Sequence, residues 1–554
     1  MKTILKRFAF AISAALGLVS CDMLDMTPTD RVSDKVMWEN TANAEWAVNS
    51  IYTYIYSVTS NQSVVGLTES LTDIMKYGSY NYNALALIPS EFSYGDATTV
   101  TATYVDAYMG YWATRYEQIR RANEALNNLH KYGQMSDEDK TRLEAELRFL
   151  RGFIYFDLAK RYKEIIIYDE NMDVITKNKE LSTEEEAWDF IQADLDFAAA
   201  NLPVKAAAGG RLDKGSAFAF LTRAMLYAER YDAVIAAADE VAALGYSLES
   251  NYADSYSKSN TAGNDEAILQ YHFSRADDIT HSFDYYYTPG GDFSLRGATG
   301  GGYGTPTQEL VESYELAVGG KPDWEPWHSD DVTETPPYDK LEPRFHATVL
   351  YNQADWKGRK IQPYLGGADG FCEWNVEPEP NGRSTTGYYL RKMVDETHDV
   401  ITYSQGVQPI TIIRYAEVLL NKAEALYKTG RESDAERIIN NDIRARVGLP
   451  GISAEGSDLM AAIRQERKVE LAFEGLWYWD LRRWGVAHKA YPEGLTGYQV
   501  HGLKITKAED GTFHYSYVSV DDKNRNFPER LYRFPLPSDE LNNNGLVSQF
   551  PEWK

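Results

Sequence analysis

Cysteine is almost absent from this chain of 554 residues: there are two, Cys21 and Cys372. A disulfide framework is thereby excluded as the source of stability. Positive charge is also scarce. The 56 Lys and Arg face 82 Asp and Glu, for a net charge of -26, so a polyanion is repelled and nucleic acid is not an expected partner. Apart from the N-terminus, long apolar runs are missing, and none reaches the roughly 20 residues that cross a bilayer. The nine histidines form no HExxH and no other close metal pair. Neither a GxSxG elbow nor a GxxxxGK phosphate loop occurs. The cluster Gly297–Gly304 does not fit GxGxxG. Asp522–Asn526 begins like a calcium loop, but Phe527 stands where glycine is needed and Arg533 where a bidentate Glu belongs. No metal, no cofactor and no catalytic residue is expected.

What is present is an ordered globular composition, with 44% apolar and 25% charged residues. Tyrosine stands out: 40 Tyr against 20 Phe. A tyrosine joins a flat apolar face to a polar tip, which suits a wet recognition surface. Residues 1–20 carry Lys2, Lys6 and Arg7 ahead of the apolar run Phe8–Val19. That run is too short to span a membrane and fits the h-region of a secretory signal. It ends Leu18-Val19-Ser20-Cys21, the pattern of a bacterial lipobox, with Cys21 as the lipidated first residue of the mature chain. Several acyl chains together anchor stably where one does not. Loss of residues 1–20 with their three basic side chains takes the net charge from -26 to -29. Lipidation of Cys21 leaves no second cysteine to form a disulfide with Cys372, so stability must rest on packing.

The pattern divides the chain as follows: signal peptide 1–20, lipidated tether 21–39, a helical region 40–245, a loop-rich insertion 246–411, and a C-terminal region 412–554. Helical period governs 40–245. Helices are expected over Asn40–Tyr56 and Trp112–Leu129, and from Ser136 to Tyr162. A further one starts at Ser182, before Pro203. Lys214–Gly245 reads as two helices with almost no linker, rich in small residues such as Ala224, and resembles a tetratricopeptide hairpin. Arg414–Gly448 repeats that pattern around Gly430. The expected fold is mostly α, a tetratricopeptide-like helical-repeat scaffold interrupted by an insertion with short strands. The insertion is rich in Gly, Pro, Tyr and Trp, and irregular stretches of such length are usually functional.

The segment 464–485, RQERKVELAFEGLWYWDLRRWG, resembles very closely the signature of the RagB/SusD family, the surface nutrient-binding lipoproteins of Bacteroidota. RYAEVLLNKAEALY (414–427), LEAELRFLRGFIYFDLAKRY (143–162), the helix ending at Leu129 and FPLPSDELNNN (534–544) resemble further family segments, in family order. The charges Glu466, Glu470 and Glu474 look like an active-site cluster, but their spacing points to i,i+4 pairing with basic neighbours along a helix. The resemblance implies a non-enzymatic protein at the outer-membrane surface, anchored by lipid. It would capture oligo- or polysaccharides and pass them to a SusC-like TonB-dependent transporter. Peptide capture by the same fold and glycoside hydrolysis are the alternatives.

Sugars offer C–H faces to aromatic rings and hydroxyls to amides and carboxylates. Two stretches have that chemistry. The first supplies Asp73, Tyr77, Tyr80, Asn81 and Tyr82, in a region where related proteins place a glycan-binding loop. The second is the insertion, with Tyr285, Tyr286, Trp324 and Trp327. Trp356, Phe371 and Trp374 are the reserve aromatics of the same insertion.

Overall fold

The helices begin where the sequence supplies caps. The computed structural model describes residues 34–59, 68–77, 91–171, 178–206, 209–374 and 382–554. Cys21, Tyr80, Asn81 and Tyr82 lie outside the described residues. Helix α1 (Thr41–Thr59) buries Ala44, Val48, Ile51 and Ile55 along one stripe. Strand β1 (Met75–Tyr77) follows, then α2 (Trp112–Tyr132) and α3 (Asp137–Tyr162). The Ser136 hydroxyl caps α3 by accepting from the Asp139 N–H, and Asp137, Glu138 and Asp139 fill its first turn at the positive end of the dipole. Helix α4 (Glu184–Asn201) opens on a capping box between Thr183 and Glu186. Asp213 caps α5 (Lys214–Tyr227), which turns through Glu229, at φ +56°, into α6 (Tyr231–Ala243).

Helix α3 is the centre of this half. Every residue from Phe149 to Ala159 is buried, because α1, α2 and α4 pack around it. A helix covered on all sides must bury charge as well as carbon, and α3 buries Arg151 against Asp194 of α4 through two contacts of 2.7 and 2.8 Å.

The insertion contributes β2 (Ala267–Tyr271), the short helix α7 (Phe283–Tyr287) and β3 (Gly304–Pro306). Strand β4 (Ile410–Arg414) pairs antiparallel with β2 and leads into α8 (Tyr415–Lys428). Gly430, at φ +76°, makes the turn to α9 (Glu432–Ile438). Helix α8 packs on both α5 and α6. Arg223 of α5 grips the Glu417 carboxylate of α8 at 2.7 and 2.6 Å, and Asn421 donates to the Thr222 hydroxyl at 3.1 Å. The two hairpins, far apart in the chain, thus adjoin in one helix-dominated scaffold, and a single hydrophobic cluster runs from Trp38 to Phe550.

Two local expectations need correction. The signature segment is not one helix. It splits into α10 (Gly456–Glu470) and α11 (Trp477–Arg483), with Phe473 and Gly475 both at positive φ between them. Glu466, Glu470 and Glu474 therefore do not pair along a helix face. They are gripped by distant basic groups: Arg414 meets Glu266, Glu470 and Glu474, Arg344 meets Glu342 and Glu466, and Arg444 meets Glu315 and Glu466. Arg446 adds Glu266 and Glu470, and Lys392 adds Glu474 at 2.7 Å. This buried network ties the insertion to the C-terminal helices. A hairpin of β5 (His501–Lys507) and β6 (Phe513–Ser519) stands in the C-terminal region, where the sequence reading had no strand.

Candidate functional site

Strand pairing brings the two aromatic stretches together. β1 pairs antiparallel with β3, with Tyr77 opposite Gly304, Lys76 opposite Thr305 and Met75 opposite Pro306. Glycine at 304 permits this close approach: a Cβ there would stand 2.5 Å from the Met75 sulfur and 2.9 Å from the Tyr287 ring, and those side chains would have to shift. Behind this pair, Asp73 is buried, its carboxylate accepting from Lys468 Nζ at 2.7 Å and from Trp477 Nε1 at 2.9 Å. Arg525 donates to the carbonyls of Ser70 and Thr72. The segment that carries the first set of predicted residues is thus clamped to α10, α11 and the C-terminal region.

Beside the β1–β3 pair lies a patch of half-buried aromatic rings, Tyr56, Tyr271, Phe273, Tyr286 and Tyr303. Tyr56, near the end of α1, stacks on Tyr271, the last residue of β2, with centroids 5.3 Å apart and planes at 27°. Phe273 meets Tyr56 edge-on at 5.3 Å. Tyr271 and Phe273 are two apart in an extended segment, so both rings emerge on one face. On α7, Tyr286 packs against Tyr303 at 4.4 Å and Tyr285 against Phe293 at 5.2 Å. Burial pushes the Tyr56 phenol up from its usual range, and the nearby Tyr271 and Tyr286 phenols push the same way. Below Phe273, His281 contacts its ring at 4.6 Å. The His281 Nδ1 accepts the Phe283 N–H, so Nε2 is the donor to the Gln408 carbonyl at 2.9 Å. Burial lowers its pKa, so this imidazole stays neutral and serves as a prop. The patch offers apolar ring faces with phenolic hydroxyls at their edges, and among the described residues it carries no nucleophile–base pair.

The predicted residues divide by burial. Tyr285 and Tyr286 are half-buried at the patch. Asp73 and Tyr77 are buried framework, both 5% exposed. Trp324 and Trp327, at 5% and 7%, correct the expectation of an open stacking platform. They pack on each other at 5.9 Å, Trp324 faces Tyr338 at 6.5 Å, and the Trp327 indole N–H donates to the Glu334 carbonyl at 2.9 Å. Of the reserve aromatics, Trp356 and Phe371 are also core, at 1% and 3%. Trp374 is half-buried on the opposite side of β1, with Lys76 Nζ 3.7 Å from its ring centre and its N–H on Asp522 at 2.9 Å. Tyr56, Tyr271, Phe273 and Tyr303 were not singled out by sequence reasoning. The alternation Tyr271-x-Phe273 was a usable signal; Tyr56 sits on a regular helix and gave none.

Comparison with known proteins agrees with this architecture. Residues 265–553 match the SusD family, and residues 24–226 match a family described as starch-binding and associating with the outer membrane. SusD-like protein P2 of Formosa agariphila is 25% identical over 510 residues, 87% of this chain and 91% of that protein. The crystal structure of a SusD-like protein from Bacteroides fragilis superposes with a TM-score of 0.77 at 26% identity, over 95% of this chain and 99% of the other. A SusD-like carbohydrate-binding protein from the same species gives 0.73 at 24% identity, over 92% and 100%, and shares the fold. With over half its length matched by one family and almost all of it by one fold, the chain belongs to the SusD family.

Proposed function

We propose that this protein is a non-catalytic surface lipoprotein that captures oligo- or polysaccharides and delivers them to a SusC-like TonB-dependent transporter in the outer membrane. The observation that carries the reading is the half-buried tyrosine patch around Tyr56, Tyr271 and Tyr286. Rings of this kind stack on the C–H faces of a sugar, and rigid side chains lose little entropy when they do. Tyr285, and the predicted Tyr80, Asn81 and Tyr82, complete the proposed binding region, while Asp73 and Tyr77 hold its frame. Capture and delivery need no covalent step. Acylation of Cys21 supplies the anchor.

The test is a glycan and peptide binding screen with chain lacking residues 1–21. Tyr286→Ala and Tyr271→Ala should each weaken glycan binding by about thirtyfold, the scale of a 2 kcal/mol anchor. Undiminished affinity in folded variants would move the site away from the patch. Binding of cationic peptides in place of glycans would favour the peptide reading, which the net charge of -29 left after loss of residues 1–20 supports electrostatically. Labelling with palmitate checks the anchor: Cys21→Ala should lose the label and membrane association together.

A further inference from the structure

The helix that carries two of the patch tyrosines is strapped down through a histidine. Asp284, in the first turn of α7 beside Tyr285 and Tyr286, is fully buried. Its Oδ1 accepts the Asp395 N–H at 2.9 Å, and its Oδ2 meets His398 Nδ1 at 2.8 Å. The other ring nitrogen, Nε2, lies 2.8 Å from the Tyr403 carbonyl oxygen. His398 therefore ties both α7 and Tyr403 to the segment 395–406. At the end of that segment, Gly406 gives its N–H to the His281 carbonyl at 2.8 Å and accepts the His281 N–H at 3.1 Å. A Cβ at Gly406 would stand 2.5 Å from Asp284 Oδ2, so the backbone comes down directly on the carboxylate. The Tyr403 side chain is 54% exposed. Arg275, two residues beyond Phe273 of the patch, lies over its ring at 4.5 Å.

Both nitrogens of His398 face oxygen atoms that accept. A carbonyl oxygen has no proton to give, so Nε2 must carry one. A second proton must lie between Nδ1 and the Asp284 carboxylate, because two lone pairs at 2.8 Å would repel. The geometry is that of an imidazolium on a carboxylate. A neutral imidazole has one N–H and keeps only one of the two bonds, so it lets go either of α7 or of the Tyr403 carbonyl. The surroundings favour the proton. The hydrogen bond to Asp284, the Asp284 charge, the Tyr403 carbonyl and Asp395 together outweigh burial and hold the His398 pKa above its ordinary value of 6.5. The other charges nearby are engaged elsewhere. Asp399 pairs with Arg296 at 2.6 Å. Lys357 Nζ donates to the His398 carbonyl at 2.8 Å and pairs with Asp292 at 3.0 Å. His281, from the segment before α7, is the neutral prop described above.

We infer that His398 is a positioning residue for the tyrosine patch: as an imidazolium it straps 395–406 onto α7 and holds Tyr285 and Tyr286 in place, and loss of its proton frees them and weakens capture. The inference rests on the patch as the binding region. The sign follows from the direction of the shift. The strap is complete below the ordinary imidazole value of 6.5 and is lost as pH rises through the higher folded value. The patch would hold its glycan in acidic surroundings and release it in alkaline ones.

The test is an NMR titration of the chain lacking residues 1–21, with carbon-13 in its histidine and tyrosine rings, from about pH 5 to about pH 9, either side of the ordinary imidazole value. His398 is expected to titrate above 6.5, and the Tyr285, Tyr286 and Tyr403 signals to move with the same midpoint. In His398→Gln, which cannot titrate, they should stay still. His398→Arg keeps the charge and more than one donor, and should hold the signals at their acidic positions throughout. His398 is buried, so if either variant fails to fold, the parent's own titration decides. A His398 midpoint at or below 6.5, or tyrosine signals indifferent to it, overturns the inference. Each glycan returned by the binding screen should bind the parent severalfold more tightly at about pH 6 than at about pH 9, and His398→Gln equally at both. Equal affinity in the parent overturns the link to capture. If no glycan depends on Tyr271 or Tyr286, the patch reading falls, while the titration still decides the strap.

Discussion

Glu69 places one carboxylate oxygen on the Gly475 N–H at 2.7 Å and leaves the other buried without a partner. Burial pushes its pKa up to about 8. An unfolded chain releases this proton near 4.5, so the folded state holds an extra proton between the two values, and stability falls as pH rises from about 4.5 to about 8. Glu69→Gln keeps the shape and removes the titration. We expect the variant to be more stable than the parent at pH 9, on the order of a few kcal/mol, and nearly equal at pH 4. A thermal melt at both pH values checks this, and a parent more stable at pH 9 would refute it. The same scale explains the tryptophans. Trp324 and Trp327 occur in an irregular, Pro-rich stretch, which looks the same in sequence whether its rings face solvent or core. What distinguishes them is Tyr338 and the Glu334 carbonyl, and contacts have no local signature.

At the scale of elements, the helical hairpins depend on small residues. Ala224 in α5 and Ala423 in α8 are fully buried, and α5 is packed by α4, α6 and α8. Ala224→Leu has nowhere to place three extra carbons and should cost about 1–3 kcal/mol, read as a lower urea midpoint with an unchanged slope. An unaltered midpoint would mean that the helices part more easily than their packing implies. The boundaries of α3 and α4 were legible because Ser136, Thr183 and the acidic first turns are local signals. The break between α10 and α11 was not: Phe473 adopts a left-handed conformation, at φ +65°, that its residue type disfavours, and the surrounding tertiary contacts impose it.

Across the whole molecule, the buried ion network joins segments that start more than 200 residues apart. Burial alone would raise the carboxyls of Glu470 and Glu474, but Arg446 and Arg414 outweigh it at Glu470, and Arg414 and Lys392 at Glu474, so both lie below the ordinary range. Glu424, beside Arg483, is held at about 2 in the same way. Groups with depressed folded pKa values contribute stability above the unfolded value of about 4.5, and it is lost as pH falls towards 2. For these carboxyls and Glu69 taken by themselves, the combined contribution is greatest near pH 5. We expect the urea midpoint to drop steeply between pH 4.5 and 2, in one cooperative transition because the network crosses from insertion to scaffold. A midpoint flat over that range would show that the ion pairs add nothing net.

The sequence by itself determined the helices α1 to α6 and α8, the irregular insertion between two similar hairpins and, through the segment 464–485, the resemblance to a family. Each of these is written in short-range periodicity, caps and contiguous motifs. Tyr285 and Tyr286 were also legible as candidate contacts, since aromatics in a loop-rich segment invite that reading. Only the tertiary structure decided which rings stay near the surface and which fill the core. It alone brought Tyr56, Tyr271, Tyr286 and Tyr303 into one patch, and His398 onto Asp284. The physical reason is that burial and charge balance are properties of neighbours in space, and these neighbours come from α1, β2, α7 and the segment 395–406, whose proximity no local pattern records.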